Sequence, residues 1–520
     1  MSGSATPGEP LAIVVDLGTG GPKIGFATLR GEVVWSEHHL VDTTFLPGGR
    51  GAEQDAENWW QLITSTVKRA FADGVVAASD IRAVAITGQW ASTIPVDAAG
   101  LPVGPCIMWM DTRGGKLVKE RFGGPVAGYA PRAVLEFVRR SGGAPSLDGA
   151  DPLGHRLYVQ RERPELFERT RWFLEPVDYL SMRFTGVAAA SPVSMLATWL
   201  LDTRDPGVLR YDDKLVDIAG IDASKLPPLQ RFMTVIGEVS PEVTAELGLP
   251  SGVQVVTGSP DLHSAAMGSG AVGDGEGHLA VSTTGWISCP IAKKKTDILH
   301  SMTTAPGLTP DRYLVIDNQD TAGRAFQWLR DTLGDGASYD ELTDLASEAP
   351  AGSGGVIFTP WLNGERSPIT DRAARGGFHN ISLTTSRSEM VRAVLEGVAY
   401  NQRWLLDTTE KFVGSRLDPL RMIGGGAASD VWCQIYADVF DRTIEQVADP
   451  LFCGLRGAAL IAGVALGEVR LTDLRTTVKV KATYSPNAGS REVLDRQYAQ
   501  VPKLYSGQKK VFAALNRGRS

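Results

Sequence analysis

The sequence predicts an α/β protein built from two related lobes with a cleft between them. Three observations lead there. The chain has 520 residues, too many for one small core and enough for two or three domains at roughly 150 residues each. Each half opens on a strand, a short polar turn and a second strand. Each half later carries a strand that runs into a glycine-bearing turn. Strand pairs alternating with helices are the grammar of α/β folds.

The elements follow in order. Leu11 to Val15 is a β-branched and apolar run ending at Asp16, and Ile24 to Leu29 and Glu32 to Glu37 complete a meander. Between the first two strands lies the turn Gly18 to Gly21. Trp59, Leu62, Ile63, Val67, Ala70 and Phe71 recur at helical spacing. Ile81 to Ile86 is a buried strand entering Thr87-Gly88-Gln89. In the second half, Gly277 to Ser282 leads into Thr283-Thr284-Gly285, and Trp286 to Pro290 and Tyr313 to Ile316 are strands. Helices are expected near Thr321 to Thr332 and Ser386 to Thr408, then a strand Leu420 to Ile423 before Gly424-Gly425-Gly426. This suggests an internal duplication. The expected division is a disordered tail over 1–10, a first lobe over 11–258, a second over 259–504 and a basic C-terminal stretch over 505–520, read as a solvated tail or a terminal helix. The hinge is expected between Leu249 and Gly258.

Composition excludes several function classes. Hydrophobic residues make up 43% and charged residues 21%, as in an ordinary globular protein. Net charge is −7, so there is no basic surplus to neutralise a nucleic-acid backbone. No apolar run approaches the ~18 residues of a membrane span, and the first ten residues lack the pattern of a signal peptide. Cys106, Cys289, Cys433 and Cys453 form no CxxC pair, so buried reduced thiols in a cytoplasmic protein are expected.

Four segments could carry chemistry. Asp16-Leu17-Gly18-Thr19, with Lys23 beyond, offers backbone N–H groups, a hydroxyl and a cation to phosphate oxygens, and Asp16 could hold a magnesium ion. A plain hairpin turn reads equally well. Asp261, in GSPDLHSAAMGSG, stands at a strand-to-helix junction where a general base could deprotonate a hydroxyl. The plainer alternative is a helix N-cap. Gly424 to Ala427 and Thr283-Thr284-Gly285 are weak signals alone.

Taken as a set, in this order, these segments resemble the FGGY family of carbohydrate kinases, from about Leu11 to Gly467. ITGQW (Ile86 to Trp90) and WMDTR (Trp109 to Arg113) are similar to sugar-side segments, and PELFERTRWFLEPVDYLSMRFTG (Pro164 to Gly186) to a characteristic first-lobe segment. VSTTGW, TAGRAFQWLRD and GGGAASDVWCQIYADV resemble the nucleotide side, and LNGERSPITDRAARGGFHNI (Leu362 to Ile381) a second signature region. The resemblance implies a two-lobed actin/hexokinase-like, ribonuclease H-like fold with a central cleft. It implies Asp261 as base and Asp16 as magnesium ligand. ATP would meet Gly18, Thr19, Lys23, Thr283, Thr284, Gly285, Gly323, Gln327, Gly425, Gly426, Ala427 and Asp430. The sugar would meet Gln89, Trp90, Asp111 and Asp261. Which threonine meets phosphate stays open, and so does a homodimer. Asp111 with Arg113, and Glu365 with Arg366, also read as structural ion pairs.

The implied activity is transfer of the γ-phosphate of MgATP to a ketose, such as the pentulose xylulose, or to a polyol. There are departures. Pro22 stiffens the first phosphate turn. Leu262 stands where an amide often meets sugar. Trp90 and Ala91 replace the Met and His usual in xylulose kinases, and Trp90 reads equally as a core aromatic. The rivals are a regulatory pseudokinase that binds sugar and nucleotide without phosphotransfer, and an ATPase that moves a partner. Asp16 and Asp261 together argue against the first, and the sugar-side segments against the second.

Overall fold

The computed structural model describes residues 8–516. Most of the expected N-terminal tail, together with Arg517 and Arg519, lies outside them.

The first lobe is built on a mixed sheet. Its strand order is Val235–Glu238, Gln254–Val256, Ile81–Gly88, Leu11–Gly18, Gly21–Thr28 and Val33–His38, with Ser259–Pro260 also pairing to Ile81–Gly88. Leu11–Gly18 and Gly21–Thr28 form a hairpin closing at Gly18 opposite Gly21. Gly21 has φ +125°, and a Cβ there would strike the His39 carbonyl, so only glycine fits. A helical subdomain carries its own core of Val118, Phe122, Phe137, Leu153, Leu200 and Leu215.

The second lobe repeats the plan. The strands Gly277–Val281 and Gly285–Ser288 form a hairpin, and the first of them pairs in parallel with Leu420–Ile423. In the first lobe, Leu11–Gly18 pairs in parallel with Ile81–Gly88 in the same way. The duplication expected from the sequence is thus present as topology. Behind this sheet the helix Arg387–Val413 starts at a capping box of Ser386 and Glu389 and ends at Gly414, φ +89°.

Between the two sheets lie the helices Asp261–Ser269 and Cys453–Ala465. Their cluster is rich in alanine: Ala12, Ala83, Ala85, Ala265, Ala280, Ala458 and Ala462. Small side chains let two helices fit in one layer. Gly268 faces the Cys453 carbonyl and Gly457 the Ser264 carbonyl so closely that a Cβ at either would collide. The chain leaves the first sheet after Pro260 and enters the second at Gly277. The passage between sheets is therefore the helix Asp261–Ser269, later than the segment 249–258 expected. Strand Gln254–Val256 holds that segment in the first sheet.

The lobes also meet away from these helices. Lys294 Nζ donates to the carbonyls of Arg139 (3.0 Å) and Arg140 (2.8 Å) near the end of helix Pro131–Ser141. Thr296 and Thr303 donate to the Gly142 carbonyl at 2.7 and 2.6 Å, and the Tyr313 hydroxyl to Thr203 O at 2.9 Å. Burial pushes the Lys294 ammonium down to about 8.

Of the two readings of the basic C-terminal stretch, the described residues show the terminal helix. Val501–Leu515 is a helix whose Tyr505 and Phe512 pack edge-on against Trp361. Its basic residues sit on the outer side of an apolar stripe that the charge alone obscured.

Candidate active site

Register brings the first-lobe candidates together. Asp16 pairs with Thr87 across parallel strands, and Ser259 pairs with the same Thr87 on the other side. Gly18, Gln89 and Asp261 each lie two residues further on. They therefore emerge at the carboxyl ends of three adjacent parallel strands, where α/β sheets collect ligands. Ser264 Oγ binds Thr87 Oγ1 (2.6 Å) and Ser259 Oγ (3.1 Å), locking helix Asp261–Ser269 to that edge.

Asp261 is the first residue of its helix, after Pro260. One carboxylate oxygen accepts the Leu262 N–H at 2.7 Å. The side chain is open to solvent at the cleft yet set deep among surrounding protein. That enclosure, and then the negative charge of Asp16, push its carboxyl up to about 6, against the pull of the Leu262 N–H. It does not act as an N-cap.

Asp16 is half-buried, with Lys23 Nζ 3.7 Å from its Oδ2. The helix Cys453–Ala465 points its first turn at the same oxygen. A methyl group at Gly454 would collide with it. Glycine here lets a helix N-terminus approach the carboxylate. Thr19 is held twice: its carbonyl accepts Gln54 Nε2 at 2.8 Å and its Oγ1 accepts Trp109 Nε1 at 3.0 Å. Its hydroxyl hydrogen stays free for an acceptor. Beside it Gly20 presents bare backbone to open space, and Gly18 lies against the Gly21 carbonyl.

In the second lobe, Thr283 is exposed and Thr284 half-buried. Ala322 N–H donates to Thr283 O (3.1 Å) and Gly323 N–H to Ser282 O (2.6 Å), stitching helix Gly323–Leu333 to this turn. Gln327 is exposed one turn along. The parallel pairing of Ala280 with Ile423 brings Gly424 to Gly426 beside the turn. The three glycines differ. Gly424 has φ +87°, and Gly425 is open with only Leu451 nearby. Gly426 is buried, and a Cβ there would strike the Val281 side chain. Ala427 is fully buried, and the space beside Gly285 is taken by Gln402. Their small size serves packing.

Other candidates have structural partners. Asp111 is buried and accepts Ala52 N–H (2.9 Å) and Arg113 N–H (2.9 Å), while Arg113 also pairs with Glu53 at 2.7 Å. The Asp430 carboxylate is taken by Lys481 (2.7 Å) and Gln446 (2.9 Å). Glu365 and Arg366 do not pair. Glu365 accepts from Asn401 (2.6 Å) and the Asp320 N–H, and Arg366 pairs with Asp320 at 2.9 Å.

On the sugar side, Gln89 is buried, its Oε1 accepting Ser92 Oγ–H at 3.3 Å and its Nε2 without a protein partner. Trp90 is half-buried, edge-on to His263, its indole N–H donated to Ser194 O at 2.7 Å. Ala91 follows with φ +64°, which costs about 1–2 kcal/mol for a residue with a Cβ. Sequence reasoning placed Trp109 in a sugar-side segment without its role as a support, and missed Gly454, Gln54 and Ser92. No local signal marks them.

Two lobes of this repeated plan share their fold with solved sugar kinases. Residues 11–268 match the N-terminal domain, and 272–466 the C-terminal domain, of the FGGY family of carbohydrate kinases. The chain belongs to that family and is a sugar kinase. It is 26% identical to a xylulose kinase of Staphylococcus epidermidis over 98% of this chain and 99% of that one. Its fold matches that of a ligand-bound xylulose kinase from Lactobacillus acidophilus, with a TM-score of 0.84, 23% identity and coverage of 97% and 100%. A gluconate kinase from the same organism matches with a TM-score of 0.84, 23% identity and coverage of 97% and 99%.

Proposed function

We propose that the protein transfers the γ-phosphate of MgATP to a hydroxyl of a ketose, such as the pentulose xylulose, or of a polyol. The observation that carries the reading is the shared edge at Thr87, flanked by Asp16 and Ser259. It supports one centre at which phosphate, metal and acceptor hydroxyl meet.

A magnesium ion bound with nucleotide needs only one or two carboxylates, because phosphates and water fill the other positions. The described residues hold no group of three or more His, Cys, Asp or Glu side chains, and a lone cleft-facing Asp16 beside Lys23 fits that need. When bound, the ion neutralises phosphate charge.

The chain's own residues do the rest. Lys23, the Thr19 hydroxyl and the backbone of Gly18 and Gly20 hold phosphate oxygens from the first lobe. Thr283 and Thr284 hold them from the second, and Gly425 with Gln327 leaves room for adenosine. Gln89 and Trp90 orient the sugar. Asp261 accepts the hydroxyl proton as that oxygen attacks phosphorus, so catalysis is positioning plus charge stabilisation. Closing the lobes excludes water as a rival acceptor.

The test is ADP release with and without a panel of pentuloses, hexuloses, polyols and aldonates. Release that depends on a ketose or polyol is expected. Release independent of any sugar would mean an ATPase, and none at all a regulator.

A further inference from the structure

Glu175 immediately precedes the helix Pro176–Thr185, yet its side chain does not cap that helix. It reaches the loop that carries Gln89 and Trp90. The reason is register. Strand Trp172–Leu174 pairs antiparallel with Ile94–Val96, with Leu174 opposite Ile94, which brings the next residue alongside Ser92 and Thr93. One Glu175 oxygen accepts the Ser92 N–H at 3.3 Å, and the Ala91 N–H also faces the carboxyl. The other oxygen, Oε1, is buried without a protein partner.

The loop has other anchors, among them the Trp90 indole N–H to Ser194 O at 2.7 Å and the Thr93 N–H to Ile107 O at 2.8 Å. Gln89 N–H donates to Leu17 O at 2.8 Å, fixing its start. The Ser92 hydroxyl donates to Gln89 Oε1 and accepts the Trp109 N–H at 3.0 Å. Between these points Ala91 is left-handed, a conformation that persists only where surroundings impose it. Glu175 is the side chain that meets the backbone at this strained point. It also meets Ser92, the residue that orients the Gln89 amide.

We infer that Glu175 is a positioning residue for sugar recognition, holding the Ala91 and Ser92 N–H groups so that Gln89 presents its free Nε2 to the acceptor. The inference rests on the sugar-kinase reading above. Burial, and then the negative charge of Asp178, push the Glu175 carboxyl well above the usual range, against the attraction of Arg156. An amide of the same shape can replace it as an acceptor.

The test compares Glu175→Gln, Glu175→Met and Glu175→Ala in the full chain. Glu175→Gln should keep the sugar KM within about threefold, because one acceptor remains. Glu175→Met, close in volume but without an acceptor, should raise the sugar KM about tenfold or more. It should reorder the sugar panel and leave the ATP KM within about twofold. Glu175→Ala should do the same where it folds. Hydrogen exchange of the amides of Ala91 and Ser92, in sugar-free protein, reads the same hold without activity. It should quicken in Glu175→Met and stay as wild type in Glu175→Gln. A Glu175→Met enzyme with wild-type sugar ranking, or with both KM values raised alike, overturns the inference. So does unchanged exchange at Ala91 and Ser92. If no sugar were turned over by wild type, the sugar-kinase reading would fall, while the exchange result would still decide whether Glu175 holds the loop.

Discussion

Trp109 Nε1 donates to Thr19 Oγ1 at 3.0 Å, although 90 residues separate them. The same tryptophan donates its backbone N–H to Ser92 Oγ. One residue therefore ties the first phosphate turn to the loop that bears Gln89 and Trp90. Trp109→Phe keeps the ring and removes the donor. A hydrogen bond is worth about 1 kcal/mol, so kcat/KM should fall roughly five- to tenfold with little change in melting temperature. Wild-type kinetics would show that Thr19 needs no such anchor.

Asp261→Asn keeps the shape of the helix start and removes the base. General-base help is worth about 10²–10⁴-fold, so kcat should fall at least about a hundredfold with ATP binding intact. Turnover near wild type would pass the role to another carboxylate.

The pH dependence has a definite sign. A base acts when deprotonated. The Asp261 carboxyl is raised to about 6, so activity should be lost as pH falls through about 6 and level off above it. Measured at saturating ATP, kcat/KM for the sugar should show this acid limb. A profile flat from pH 5 to 8, within about twofold, would exclude Asp261 as the titrating base.

Two neighbouring glycines should fail differently. Gly425 opens onto free space, so Gly425→Val should fold normally and raise the KM for ATP. Gly426→Val drives a side chain into Val281, and overpacking of this kind costs about 1–3 kcal/mol. Its primary defect should be a lowered melting temperature. Equal stability of the two variants would contradict this assignment.

Gly454→Ala places a methyl group against Asp16 Oδ2. The carboxylate must move, and magnesium activation should require a higher ion concentration while the sugar KM stays put. An unchanged magnesium titration would remove Asp16 from the metal site.

Trp90→His exchanges an indole bonded to Ser194 for a smaller polar ring. The order of preferred sugars should change more than the affinity for ATP. An unaltered order would return Trp90 to a packing role.

What was legible in the sequence was local. The hairpins, the helix of Trp59 and the junction at Asp261 are written in consecutive residues and their spacing. Gly454 could not be read, because its meaning lies in a contact with Asp16 more than 400 positions earlier. Glu175 and Trp109 fell inside segments that carried the resemblance, but their contacts with Ser92 and Thr19 join stretches distant in the chain. The glycine run at 424–426 announced bare backbone but not the direction each residue faces. So Gly426 and the buried Ala427 were grouped with Gly425. A terminal helix near Val501–Leu515 was legible only as an alternative to a solvated tail, since its apolar partner, Trp361, is distant in sequence.

The attachment of Lys294, Thr296 and Thr303 to the end of helix Pro131–Ser141 constrains the mechanics of the molecule. A body fastened to another at a single place can splay in any direction. Here there are two places, the paired helices and this side attachment. Rotation about the line joining them is the motion that stretches the fewest bonds, since atoms near an axis travel least. Motion about that line, like a door on two pins, would narrow the jaw the lobes form while both pins stay seated.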